Sequence, residues 1–190
     1  AQGKITAFNI SQQGEDGSDR VWPQFFEVAL VYPNRVEEMT VNMQGKQVKL
    51  KDAIGKDKPL FVLFNSSGQG YGQFPVDEQM LKRMHTLSNP VMRASAYINL
   101  YESMLNGLHI SPMQLLEFYR SSLTKETEEL NLRHISNRLG DIYWGFITPE
   151  VRGKVAAALE QDVWKAMEQA TKPNDKKLLF KTYQNIALTQ

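Results

Sequence analysis

The chain changes its periodicity once, near Asp77, and that change limits what it can fold into. Ahead of it, apolar residues come in short β-branched and aromatic runs. Beyond it they recur at helical spacing almost to the last residue. Three helix starts are written out as an N-cap residue followed by proline: Asn89-Pro90, Ser111-Pro112 and Thr148-Pro149. Proline suits the first helical position because its missing N–H would be unpaired there anyway.

Four runs define the helical faces. The segment after Pro90 places Val91, Ala94, Ile98, Tyr101 and Leu105 on one side, and the segment from Lys125 uses Leu132, Ile135, Leu139, Ile142 and Phe146. Val151, Val155, Leu159, Val163 and Met167 step by four, and Leu179, Tyr183 and Ile186 begin one more helix. Such amphipathic helices with short loops predict antiparallel neighbours, in a HEAT-like solenoid or a compact bundle, and the pattern leaves both open.

The first part reads as strands. Lys4–Ser11 alternates loosely, PQFFEVALVYP is bounded by Pro23 and Pro33, and LFVLF at 60–64 has the continuous apolar character of a strand buried on both faces. EEMTVNMQGKQVKL sets Met39, Val41 and Met43 against Val48 and Leu50 around Gln44-Gly45, which predicts a hairpin. YGQFPV closes a series of six short strands, and these predict an antiparallel sandwich with one edge strand missing on its N-terminal side. The fold class is therefore α+β in two parts: a β-sandwich over 1–76, then an all-α region over 77–190, expected to be truncated at its C-terminal end.

The overall charge is +1, and the half up to Glu78 has 8 basic and 10 acidic residues against 14 and 11 in the rest. Neither balance is that of a nucleic-acid or membrane-surface binder. Cysteine is absent, which removes disulfides, thiol nucleophiles and cysteine zinc sites but is compatible with any compartment. No window of about 18 apolar residues spans a membrane. AQGKITAFN lacks both the order of a signal peptide and an initiator Met, so the chain is expected to be processed or cut from a larger one.

The chemistry-bearing residues yield no site. Gly68, Gly70 and Gly72 give G-x-G-x-G after a strand, but Pro75 interrupts, no second strand completes a βαβ unit, and Gln73-Phe74 stands where a Walker loop needs Gly-Lys. The expectation is a tight turn at positive φ or a close backbone approach. His85, His109 and His134 have no metal-ligand spacing, and Ser66 and Ser67 lie in no nucleophile elbow. Glu126, Glu128 and Glu129 are expected in a first helical turn, favoured by the macrodipole. The lysines of KDKP and KPNDKK alternate with aspartate, and the aromatics Tyr97, Tyr101, Phe118, Tyr119, Tyr143 and Trp144 read as core. No catalytic, cofactor-binding or metal residue is expected.

One stretch is more specific. Asn65, Gly70, Tyr71, Gly72, Phe74, Val76 and Asp77 form N-x-x-x-x-G-Y-G-x-F-x-V-D behind a short strand, and this resembles the zinc-dependent aminopeptidase N family of metallopeptidases. In that family the motif closes an immunoglobulin-like β-sandwich, the third domain, and passes the chain to a C-terminal helical domain. FFEVALVYP and EEMTVNMQGKQVKL are similar to the sandwich strands. The block from Asn89 to Asn131, with Arg93 near the start of one helix and a glutamate-rich turn after the next, is similar to the first helices. Tyr71-Gly72-Gln73 stands where members often have Tyr-Tyr-Arg.

The resemblance implies a non-catalytic segment, an interdomain spacer and chamber wall, of an enzyme that removes N-terminal residues from peptides. Its zinc, its catalytic glutamate and its amine-recognition site would belong to an upstream domain of the parent. That catalytic domain and the parent's peptide substrates are the implied partners; nucleic acid and membrane are not. The alternative is a free-standing interaction module of sandwich and helical repeats.

Overall fold

A computed structural model describes residues 3–189; Ala1, Gln2 and Gln190, at the ends of the two expected regions, lie outside the described residues. The architecture is α+β: a small antiparallel sheet region followed by six helices. The strands are β1 (Asn9–Ser11), β2 (Gln24–Val31), β3 (Val36–Met43), β4 (Gln47–Lys49) and β5 (Phe61–Phe64). The helices are α1 (Glu78–Arg83), α2 (Pro90–Leu105), α3 (Pro112–Ser122), α4 (Glu129–Gly145), α5 (Pro149–Gln169) and α6 (Pro173–Ile186).

β2 organises the strand region because it is apolar on both faces. It pairs antiparallel with β3 on one side and β5 on the other, in the order β3-β2-β5. Phe26, Val28 and Leu30 point one way and join Met39, Val41 and Met43 of β3 in an apolar cluster, to which the second sheet, β1-β4, contributes Ile10. Ala29 and Val31 point the other way, with Phe61 and Leu63, into the core made by the helices. β5 has the same division, since Val62 and Phe64 pack against the first cluster. Its continuous apolar run is thus explained by two cores, one on each face.

The expected hairpin between β3 and β4 does not form; these strands belong to different sheets. β2 outcompetes β4 for β3 because it offers eight paired residues with matching apolar parity, Phe26 opposite Val41 and Val28 opposite Met39. The chain crosses to the second sheet at Gly45, where Gln12 donates its side-chain amide to the Gly45 carbonyl (2.9 Å). Only Asn9–Ser11 of the expected first strand is a strand, and Lys4 makes an isolated bridge with Asp57. YGQFPV is not a strand either: Gly72 has φ +132° and Pro75 follows, while Phe74 turns in and meets Phe26 edge-on at 5.1 Å. Five strands, not six, are present among the described residues.

All three cap-proline signals start helices. Asn89 Oδ1 accepts from Val91 N at 2.9 Å, Ser111 Oγ from Gln114 N at 3.2 Å and Thr148 Oγ1 from Val151 N at 3.5 Å. α5 turns the face expected of it to the core, with Leu159 and Val163 buried and Val151, Val155 and Met167 half-buried. In α2 the buried face is shifted: Tyr101 of the expected residues is buried, but Val91, Ile98 and Leu105 are exposed, and Met92, Ala96, Leu100 and Met104 are buried. Two polar residues decide this, because Ser95 and Asn99 turn inward to bond the sheet. α4 begins at Glu129, four residues after the expected start, and Phe146 falls outside its buried stripe. α6 ends at Ile186. Leu188 and Thr189 bend back and donate their N–H groups to the Glu160 carboxylate at 2.7 and 2.9 Å.

Candidate functional site

The turn after β5 is closed by one side chain. Asn65, buried at φ +56°, accepts from Gly70 N with Oδ1 (2.7 Å) and donates from Nδ2 to Gly70 O (3.1 Å). Asparagine suits this backbone because it tolerates the left-handed region and mimics a peptide partner. Gly68 and Gly72 take positive φ, whereas Gly70 does not. Gly70 is needed for space: a Cβ there would lie 2.8 Å from the Phe74 ring and 2.9 Å from Phe26 Cβ.

This geometry explains why the turn is no phosphate cradle. Such a cradle needs outward N–H groups. Here Gly68 N bonds Asn65 O, Gly70 N bonds the Asn65 side chain, and Tyr71 N bonds Gln24 Oε1 at 3.1 Å. The serines are engaged as well, Ser66 Oγ with Glu38 (2.7 Å) and Ser67 Oγ with Glu27.

Two residues of α2 reach across to the same place. Ser95 Oγ donates to Asn65 O at 2.5 Å and Asn99 Nδ2 donates to Phe64 O at 2.9 Å. Asp77, the last residue of the motif, caps α1 by accepting from Gln79 N at 2.7 Å. The motif therefore ends a strand, shapes a turn and starts a helix.

The second constellation is a buried ion pair. Glu126 is not in a first helical turn; it lies in the α3–α4 connection with its side chain fully buried. Arg93 binds it twice, Nε to Oε2 at 2.9 Å and Nη2 to Oε1 at 2.7 Å. The N–H groups of Thr127 and Glu128 donate to Oε1, each at 2.9 Å, and Tyr97 OH donates to Oε2 at 3.1 Å. Arg93 Nη1 spends its remaining donors on the carbonyls of Leu87 and Ser88. Burial alone would raise the Glu126 pKa, but the bonds from Arg93 and from Glu128 N outweigh it and hold the carboxyl below its ordinary range. The Tyr97 phenol is pushed up, first by burial and then by the Glu126 charge.

Among the described residues, His85 and Ser122 make the one contact with the outline of a nucleophile and its base, Nε2 to Oγ at 3.3 Å. The protons run the wrong way for that role. Ser122 has a single hydroxyl hydrogen and donates it to Phe118 O at 2.7 Å, so His85 Nε2 is the donor to Oγ. Ser122 is fully buried, and burial, aided by the Lys125 charge, lowers the His85 pKa. The pair packs α3 against the turn after α1, with the His85 ring stacked on Phe118 at 5.4 Å.

His134 lies on α4, in an open polar depression of about 410 Å³ shared with Asn137, Arg138, Asp141 and Asn185. His109 sits in the α2–α3 loop at φ +34°. No group of three potential metal ligands comes together among the described residues. Sequence reasoning missed Glu126 as a buried charge because its neighbours Glu128 and Glu129 are ordinary helix-start glutamates. A signal was present, in that Arg93 is a charged residue within the most apolar helix.

No protein-family model matches the chain, and no curated protein matches it.

Proposed function

We propose that this chain is a non-catalytic segment of a zinc-dependent aminopeptidase, an immunoglobulin-like sandwich followed by the first helix pairs of a HEAT-like domain. The observation that carries this reading is the joint at residues 65–77. Three residues of the motif have a physical task there: Asn65 clamps the turn, Gly70 admits Phe26 and Phe74, and Asp77 caps the first helix. A motif so placed suits a passage between a sheet domain and a helical one. The apolar cluster enclosed by the two small sheets supports the sandwich reading.

Membership of a larger assembly is supported by the outer face of α2. Val91, Ile98 and Leu105 repeat every seven residues and are exposed by 52%, 47% and 44%. An apolar stripe of this kind on a helix is a packing surface for another element. In the proposed parent the segment spaces the catalytic domain from the rest and helps wall the chamber that admits peptides. The chemistry, zinc-polarised water attacking the first peptide bond, belongs to the parent's other domain.

The test is the coding sequence upstream of Ala1. An H-E-x-x-H followed by a glutamate about 20 residues later supports the proposal. The chain joined to that domain should then hydrolyse an aminoacyl anilide and hold zinc, while the chain alone should do neither. A start codon directly before Ala1 overturns it and leaves the interaction module, which the groove described next would favour.

A further inference from the structure

β5 is the outer strand of its sheet, with β2 on one side and no strand on the other among the described residues. β5 borders a groove of about 580 Å³ that residues 3–8 and Pro75, Val76 and Asp77 also line; at the strand's end the Phe64 carbonyl is already bonded by Asn99 Nδ2, which leaves the edge before it for a partner. The groove follows the seam between the two cores. Ile5, Phe8, Val62 and Phe64 border it from the strand cluster, and Leu60 and Val76 border it from the helical core. All six are half-buried, so each core leaves apolar surface unfinished along this line.

We propose that this groove binds a separate peptide in extended conformation, added antiparallel to β5 as a fourth strand. A strand edge offers backbone donors and acceptors, and these are matched by another extended backbone. Side chains of an added strand alternate between faces. One set would complete the cluster at Val62 and Phe64, and the other would meet Leu60 and Val76. The occupant is therefore apolar on both faces, as β5 itself is.

Size selects a peptide over a second copy of the chain. β5 has four residues, a strand of about 13 Å, and the flanking walls recess it. A contact of that length falls well short of the roughly 1,200 Å² that stable dimers bury. Charge adds direction. Lys58 lies in the groove wall three residues ahead of β5 and makes no ion pair or side-chain hydrogen bond among the described residues, whereas Lys4 is held by Asp57 at 2.7 Å. An antiparallel peptide brings its C-terminal end to Lys58, so an acidic residue there fits. This inference does not depend on the aminopeptidase reading.

The probe is the capped peptide Thr-Val-Phe-Val-Leu-Glu, titrated into the whole chain and followed by amide hydrogen exchange and backbone NMR shifts. Exchange at Phe61 to Phe64 should slow, with shifts confined to β5, residues 3–8 and residues 75–77. A probe N-methylated at alternate amides keeps its side chains but loses its ladder, and should bind at least about ten-fold more weakly. Moving the Glu to the N-terminus, or Lys58→Glu, should weaken binding about five-fold. Lys58 is exposed, so that variant is expected to fold; the probe series on the unaltered chain decides the matter in any case. Equal binding of the N-methylated probe, or no added protection in β5, overturns the proposal. So does a concentration-dependent dimer that protects β5 without peptide, since the groove would then take a second copy.

Discussion

Arg93 and Glu126 stand 33 residues apart in sequence and meet in two parallel hydrogen bonds beneath the start of α2. The carboxylate is fully enclosed and each of its oxygens has further donors, so the pair tolerates burial. Removing one partner leaves the other charged and dry, which costs about 3–5 kcal/mol. Urea denaturation of Arg93→Met and of Glu126→Leu should each show a loss of that order. The double variant should lose less than the sum, and strict additivity would show that the two residues act independently.

Acid should act on this chain in two stages. The folded pKa values of His85 and Glu126 are both lowered. In both cases the unfolded chain binds the proton first, so stability rises with pH between the folded and the unfolded pKa. As pH falls, the His85 loss begins near its unfolded value of about 6.5, and the Glu126 loss begins near about 4.3. Melting temperature against pH should show both steps. Burial lowers the His134 pKa as well, so His85→Gln should shrink the upper step and the double variant His85→Gln/His134→Gln should erase it; an unchanged upper step in the double variant would assign it elsewhere.

The three glycine classes in this chain give different outcomes for one substitution. Gly70→Ala forces a methyl against Phe26 and Phe74 and should cost about 1–3 kcal/mol. Gly68→Ala meets no atom but keeps φ +74°, for a cost of about 1 kcal/mol. Gly45→Ala has open space and no positive φ, and should be neutral or slightly stabilising. Chemical denaturation of the three ranks them, and a neutral Gly70→Ala would remove the close-approach account.

The helix caps should also rank by geometry. Asn89→Ala and Ser111→Ala should each cost about 1 kcal/mol, and Thr148→Ala less, since its bond is the longest at 3.5 Å. Ser111 has a reciprocal partner, because Gln114 Oε1 accepts from Ser111 N at 2.9 Å. Gln114→Ala should therefore weaken the same helix end, read as faster amide exchange in the first turn of α3.

Much of this fold could be read from local chemistry. The cap-proline pairs placed three helix starts to the residue, because every contact that decides them lies within four positions. β5 reads as apolar on both faces for a related reason, its run being unbroken, but Val62 and Phe64 are only half-buried. The hairpin expected at Gly45 does not form because the rival strand, β2, comes from elsewhere in the chain and periodicity does not rank partners. The same limit hid the buried face of α2, where Ser95 and Asn99 count as polar until their partners Asn65 and Phe64 are known. Glu126 and Gly70 were noticed for their residue type, but their surroundings were set by contacts at a distance.

The bonds from Ser95 and Asn99 to the end of β5 have a mechanical consequence. A helix resting on a sheet through apolar contact alone can slide or roll at little cost. Here a roll of α2 by one residue, about 100°, would pull both side chains from their carbonyls at once. Asn65 is buried, so its carbonyl would find no water in exchange. The junction is keyed and has no hinge at this point. Force applied to β5 would be passed to the long axis of α2 as a rigid displacement, and any bending of the chain would have to occur elsewhere.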